Sequence, residues 1–470
     1  MARSFLILIL ALAAIGLEAC SSAEPPPKPA APPAFVAHST TLQITNGIKV
    51  LTQVMLPSGF APIASRSPVW LQNSEEIGVV GTQDGHTIMY GLGGAAWRTG
   101  RILAAETGPS AAEEGTIMDV AASPEGLTLA TAVVPTNHKR LDIIVRDLIA
   151  TGPGQSIASF DGQFDSVSMS WLNRATIALA LRRHPEPPPP PPSATQSEPP
   201  ADETESGQAL VVPPADGLQI VVVTGAGSVA PLKLPPTCTM SPLSWSTHGV
   251  YAVAQGDPGV RPMIIDRRNS TCTRFHVPDP IQVLDWATDD EGSFLYAGPD
   301  PTRHTVGVYK YNIETGADHL MGASTSAAAF SAGGEVVTLG SQKLTFRNAI
   351  EHAQEQFLAQ VAIEHPDQGE MDIEPLGFNS LPPMFAQSTM VYSRSADEAA
   401  MQIFAPARGQ TEPWRMIVTY SMRVDSAFLL AEGPAKGTVT MSWSVKGRWL
   451  ALLDGEASTS TVLTVLEPPR

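Results

Sequence analysis

The chain has 470 residues, 43% of them hydrophobic, and 29 Lys and Arg against 46 Asp and Glu leave a formal net charge of −17. No Lys/Arg cluster offsets that charge, which argues against nucleic acid as a partner and against direct adsorption to an anionic lipid surface. No apolar run reaches the ~18 residues of a spanning helix, while the 38 Gly and 43 Pro suit short strands joined by turns, in two or three ordinary domains or one large repeat domain.

Residues 1–19 read as a signal peptide. Arg3 supplies a positive charge and Phe5 to Gly16 an apolar stretch too short to cross a bilayer. Leu17-Glu18-Ala19-Cys20 follows, and this segment resembles the lipobox of bacterial lipoproteins. The resemblance implies cleavage before Cys20 and acylation of Cys20, palmitate included. With Ser21 after the Cys, it also implies sorting to the outer membrane, facing the periplasm. An ordinary secretory signal with a chance Cys is the alternative. Residues 20–38 then read as the lipidated Cys and a Pro/Ala-rich tether, whose 21–34 stretch in polyproline conformation reaches up to roughly 40 Å from the lipid. Membrane contact is expected through the anchor only.

From residue 39 to 470 a phrase recurs roughly every 50 residues: an aromatic, a polar turn with Gly, then an apolar strand. Its aromatic or equivalent position falls at Trp70, Ala122, Trp171, Trp245, Trp286, Phe330, Phe385 and Trp443, which takes five of the eight Trp. Gly follows four residues later as Gly126, Gly249, Gly334 and Gly447. Second strands such as Leu127–Val134 and Val250–Ala254 come next, then third strands such as Leu141–Leu148 and Thr305–Tyr311, and weaker fourth ones. Four short strands per unit is the pattern of a β-propeller, whose blades are apolar on both faces and must be sandwiched by neighbours.

Ser123-Pro124-Glu125-Gly126-Leu127-Thr128-Leu129-Ala130 resembles the turn of WD40-like (PD40) propeller repeats known from TolB-type periplasmic proteins. The resemblance implies the fold and no function. The expectation is an all-β fold, a propeller of seven or eight four-stranded blades closed by an N-terminal strand. The last unit has room for three strands, so Thr41-Leu42-Gln43-Ile44-Thr45 is expected to complete it. Residues 185–209, Pro-rich and then acidic, interrupt the third unit between its second and third strands. Pro at that density cannot join a ladder, so a disordered loop is expected: a tolerated insertion, a polyproline ligand or a spacer.

Cys238 and Cys272 remain as an even pair in an exported chain and read as a disulfide, with two free buried thiols as the alternative. The chemical motifs are sparse. Glu351-His352 and Glu364-His365 are too far apart for a closed zinc motif. Asp289-Asp290-Glu291, with Asp285 upstream, is either a calcium loop or an exposed blade turn. Gly154-Gln155-Ser156 lacks the second Gly of a nucleophile elbow, and Gly91-Leu92-Gly93-Gly94 is too short to cradle phosphate. His138-Lys139-Arg140, Arg182-Arg183-His184 and Arg267-Arg268 read as loop charges at strand ends. The recurrent Trp residues read as blade packing rather than a ligand cage. No catalytic, metal or cofactor residue is assigned. The reading is a lipid-anchored binding or scaffold module for a protein or glycan partner. The alternative is a hydrolase, lyase or quinone-dependent dehydrogenase with a site in the central funnel.

Overall fold

The repeated phrase is a turn that locks each blade to its neighbour. The Ser after the aromatic position closes it. Ser123 O accepts the Gly126 N–H at 2.8 Å while Ser123 Oγ accepts the Leu127 and Thr128 amides. Ser246, Ser331 and Ser444 repeat the backbone bond to Gly249, Gly334 and Gly447. Gly126 has φ +67°, and a Cβ there would lie 2.4 Å from the Trp70 carbonyl oxygen of the previous unit. Only Gly satisfies both the left-handed backbone and that approach.

In a computed structural model of the protein, residues 36–37 and most of 42–469 are described, interrupted chiefly at 106–114, 185–217, 233–242, 256–259, 339–388 and 406–413. The described residues form seven sheets of four or five strands and one two-stranded hairpin. Blade 1 holds Val69–Leu71, Glu76–Gln83, His86–Gly93 and Thr99–Ala104, with Ala61–Pro62 pairing farther along the same edge as Val69–Leu71. Blade 2 runs Gly115–Ala122, Thr128–Pro135, Arg140–Asp147 and Gln155–Asp161. Blade 3 has Phe164–Asn173, Thr176–Arg183, Leu218–Thr224 and Val229–Pro231. Blade 4 has Leu243–Trp245, Tyr251–Ala254, Met263–Asp266 and Thr271–Arg274. Blade 5 has Gln282–Trp286, Ser293–Asp300, Thr305–Asn312 and Asp318–Ala323. The hairpin Ala328–Phe330 and Val336–Thr338 follows. Blade 6 has Thr389–Ser393, Glu398–Ala405, Trp414–Ser421 and Ser426–Pro434. Blade 7 has Thr438–Trp443, Leu450–Glu456 and Ser460–Glu467. The first strands of blades 2, 3 and 4 lie side by side, as do those of blade 5, the hairpin and blades 6, 7 and 1, with that of the hairpin between those of blades 5 and 6.

Second strands are apolar on both faces because each face meets a different blade. In blade 2, Leu129 and Val133 join a core with Leu71 and Met89 of blade 1, whereas Ala130 and Ala132 join one with Met169 and Leu179 of blade 3. The period of two thus divides one strand between two interfaces rather than between core and water.

The closure differs from expectation. Lys49–Met55, not 41–45, pairs antiparallel with Ser460–Glu467 and supplies the fourth strand of blade 7. Gln43–Ile44 instead adds a fifth strand to blade 6 beside Ser426–Pro434. Burial sorts the two segments: Val54 packs with Leu453 and Leu463 between blades 7 and 1, Leu42 with Ile417 and Leu466 between blades 6 and 7. The interruption in blade 3 falls between Thr176–Arg183 and Leu218–Thr224, which pair directly. Residues 1–35 and the 185–209 segment lie outside the described residues.

Candidate functional site

The Trp at the repeated position bolts blades together. Trp171 Nε1 donates to Ala121 O at 3.0 Å, Trp443 Nε1 to Val391 O at 3.1 Å and Trp70 Nε1 to Ser442 O at 3.1 Å. Trp286 Nε1 donates to Ser244 Oγ at 3.1 Å. In each case the acceptor belongs to the residue just before the aromatic position of the preceding blade. The same register assigns that position in blade 6 to Tyr392, ahead of Ser393, rather than to Phe385. Phe385 lies outside the described residues. No Gly marks this turn: Asp397 takes the positive φ, at 58°, and accepts the Tyr392 hydroxyl. In blade 2 the position is Ala122, and a cavity of about 300 Å³ adjoins it, lined by Val69, Val80, Met89, Val120 and Trp171 together with Arg66.

Two carboxylates sit on first strands facing arginines from other blades. Asp119, 7% exposed, takes the Arg66 guanidinium at 2.6 Å and the Val120 and Met169 amides at 2.8 and 2.7 Å. Asp285 takes the Trp286 and Phe330 amides, and Arg394 reaches it at 3.2 Å from blade 6. Burial pushes both carboxyls above the ordinary aspartate value, against the pull of the guanidinium and amides. Neither pair is legible in the sequence, even with Asp285 close to the acidic turn. Partners on separate blades leave no local spacing to read.

The acidic turn disperses. Asp290 accepts the Gly292 amide, the Ser293 hydroxyl and Asn312 Nδ2 within its own blade. Glu291 reaches back to blade 4, taking Ser246 Oγ at 2.5 Å and the His248 and Val250 amides. Asp289 abuts Gly334 of the hairpin. Among the described residues no three His, Cys, Asp or Glu gather as a metal-binding group. Gly91 and Gly93 lie in a strand, where a Cβ on Gly91 would lie 2.2 Å from Glu76, itself held by Arg101 at 2.7 Å. Cys272 is disulfide-bonded. Cys20, Cys238, His352 and His365 lie outside the described residues.

Bonds between blades form at both ends of the ring: at the upper end the Thr461 hydroxyl donates to Phe60 O and Gln255 O accepts the Ile281 amide. At the lower end, where first strands turn into second ones, blade-to-blade contacts run around the ring. Val445 N–H donates to Ser74 Oγ, Gln72 N–H to Gly126 O, and Arg174 to Glu125. Thr247 hydroxyl donates to Ala287 O, Arg394 to Trp286 O and Ser395 hydroxyl to Val445 O. The longest connections, across 184–217, 232–242, 339–388 and 406–413, join strand ends at the opposite, upper end. Two of the basic groups meet there. The Lys139 carbonyl accepts the Gly162 amide at 2.7 Å, and Arg183 packs against Gly162 and over the Phe164 ring. Arg140 pairs with Asp142 at 3.1 Å, and His184 lies 2.8 Å from Asp165. Arg267-Arg268 sits at the lower end, in a third-to-fourth-strand turn of blade 4.

No protein-family model matches the chain, and no curated protein matches its sequence. Solved structures do resemble it. Oligogalacturonate lyase from Vibrio parahaemolyticus aligns over 94% of this chain and 99% of its own, with a TM-score of 0.51 at 9% identity. An oligogalacturonate lyase in complex with manganese aligns over 93% and 98%, with a TM-score of 0.50 at 7% identity. The Dos1 propeller aligns over 90% and 95%, with a TM-score of 0.42 at 8% identity. At such identities the likeness is one of fold, and it agrees with the sheets above: the protein is an all-β propeller.

Proposed function

We propose that the protein is a binding or scaffold module, held to the cell envelope by a lipid on Cys20 and receiving a protein or glycan partner on its upper face. The asymmetry of the two ends carries this reading. Both ends carry bonds between blades, but the strand ends that lead into the long connections, and the ion-paired Arg140 and His184 of blades 2 and 3, stand at the upper end. Loops on a rigid scaffold are where propellers and other folds place recognition. A photo-crosslinking residue placed at exposed His138, at the upper end, should yield partner adducts in intact cells, and one at exposed Lys446, at the lower end, should not. Adducts from position 446 alone, or from neither, would sink the reading. Palmitate labelling that survives Cys20→Ala would remove the anchor. The pairing of Cys272 with Cys238 belongs to the same proposal and is tested by peptide mapping without reduction.

The enzyme reading draws on buried Asp119 and partly buried Asp285, first-strand carboxylates whose proton affinity is raised. Two structural neighbours are oligogalacturonate lyases, so oligogalacturonate is the first substrate to try. Turnover that Asp119→Asn or Asp285→Asn abolishes would favour this reading over the scaffold.

A further inference from the structure

We infer that the cavity between blades 1 and 2 binds a small aromatic carboxylate, seated where the repeat lacks its ring and held by Arg66. This goes beyond the upper-face partner and does not depend on it. At the repeated position stand Trp70, Trp171, Trp245, Trp286, Phe330, Tyr392 and Trp443, and only blade 2 departs, with Ala122. Where the indole N–H bonds are formed, each Trp reaches the residue preceding the aromatic position of the blade before it. For blade 2 that residue is Val69. Both Val69 and Ala122 line the cavity of about 300 Å³, so the void occupies the seat of the missing ring. The site opens to solvent on one side, and a planar apolar ligand seated there gains contacts with its walls.

Arg66 gives the seat its chemistry. Its side chain lines the cavity and is 35% exposed, while its Nη2 is fixed by Asp119 at 2.6 Å. Asp119 is in turn fixed by amides from blades 2 and 3. A guanidinium carries five N–H donors in a fork that suits carboxylate, so one held by a single nitrogen retains donors for a second acid group. The remaining walls, Val80, Met89 and Trp171, offer apolar, thioether and aromatic faces to a ring. A ligand of this shape has one aromatic system of indole size and one carboxylate.

Calorimetric titration of the purified chain with indole-3-acetate, and with neutral indole-3-acetamide, tests the assignment. The wild type is expected to bind indole-3-acetate at one site. Ala122→Trp should abolish binding while its Tm stays at or above that of the wild type. If that variant fails to fold, Ala122→Phe occupies the same seat with a smaller ring. Arg66→Gln should weaken indole-3-acetate about tenfold while leaving indole-3-acetamide unchanged, as loss of a charge-assisted bond requires. Absence of binding at millimolar indole-3-acetate overturns the proposal, as does binding that survives the ring in a folded variant. Equal loss of both probes in Arg66→Gln overturns the role of Arg66.

Discussion

Gly126 and Gly85 both have positive φ, +67° and +85°, but only Gly126 is crowded: an added Cβ meets nothing within 4 Å at Gly85 and a carbonyl oxygen at 2.4 Å at Gly126. Gly85→Ala is therefore expected to cost about 1 kcal/mol, from backbone strain alone. Gly126→Ala should cost more than about 2 kcal/mol, because the blade 1 backbone must move. Urea unfolding of the two variants measures the difference. The spacing of Gly126, Gly249, Gly334 and Gly447 was legible in the sequence because a left-handed turn with a close neighbour admits little else. Tyr392 was not, since its turn uses Asp397 at positive φ and offers neither Trp nor Gly to the eye. Asp119 and Arg66 were equally silent: they stand 53 positions apart, and their 2.6 Å contact exists only once blades 1 and 2 are neighbours.

Among the elements, the closing strand Lys49–Met55 is fastened at one end by charge. Glu467 accepts from Lys49 at 2.6 Å and from Arg448 at 3.0 Å, and these bonds, that from Lys49 foremost, hold its carboxyl below the usual glutamate range. A carboxyl with a lowered folded-state pKa lends stability that is present above its unfolded value and lost as the pH falls through its folded one. Glu467→Gln should thus cost about 0.5 kcal/mol near pH 7, the modest worth of an exposed pair with Lys49 65% accessible. The cost should vanish in acid. Chemical denaturation across pH checks both the size and the sign. The need for a closing strand was readable from the short last unit, but not which strand. Leu42 and Ile44 alternate with polar residues, whereas Lys49–Met55 carries its apolar residues in the pairs Val50-Leu51 and Val54-Met55, which hides it as a strand; both Gln43–Ile44 and Lys49–Met55 enter sheets. Their assignment depends on the edges that blades 6 and 7 leave open, a property of the assembled ring.

For the whole molecule, one strand joins the two ends of the described chain. Val54 is fully buried in the core shared by blades 7 and 1, with Trp70, Trp97 and Leu463. Trp97 packs edge-on against Trp449, with centroids 5.0 Å apart, so that interface is also an aromatic joint. Val54→Asp places an unpaired carboxylate there and is expected to cost more than about 3 kcal/mol. It should also expose the amides of Ser460–Glu467 to hydrogen exchange before those of blade 3. Uniform loss of protection around the ring would instead mean that the blades unfold as one unit.

The sequence by itself determined the class of fold. Four-strand units recur, and strands apolar on both faces can be covered only by more of the same. It also located the interruption in blade 3, because Pro-rich chain cannot enter a ladder. Tertiary structure alone decided the closing strand, the carboxylate–arginine pairs between blades and the vacant ring seat beside Ala122. Each of these is set by groups from different blades, whose distances no local spacing encodes. The alanine was visible in the repeat, but only its surroundings, Val69 before it and Arg66 across it, make the gap a cavity with a charge at its wall.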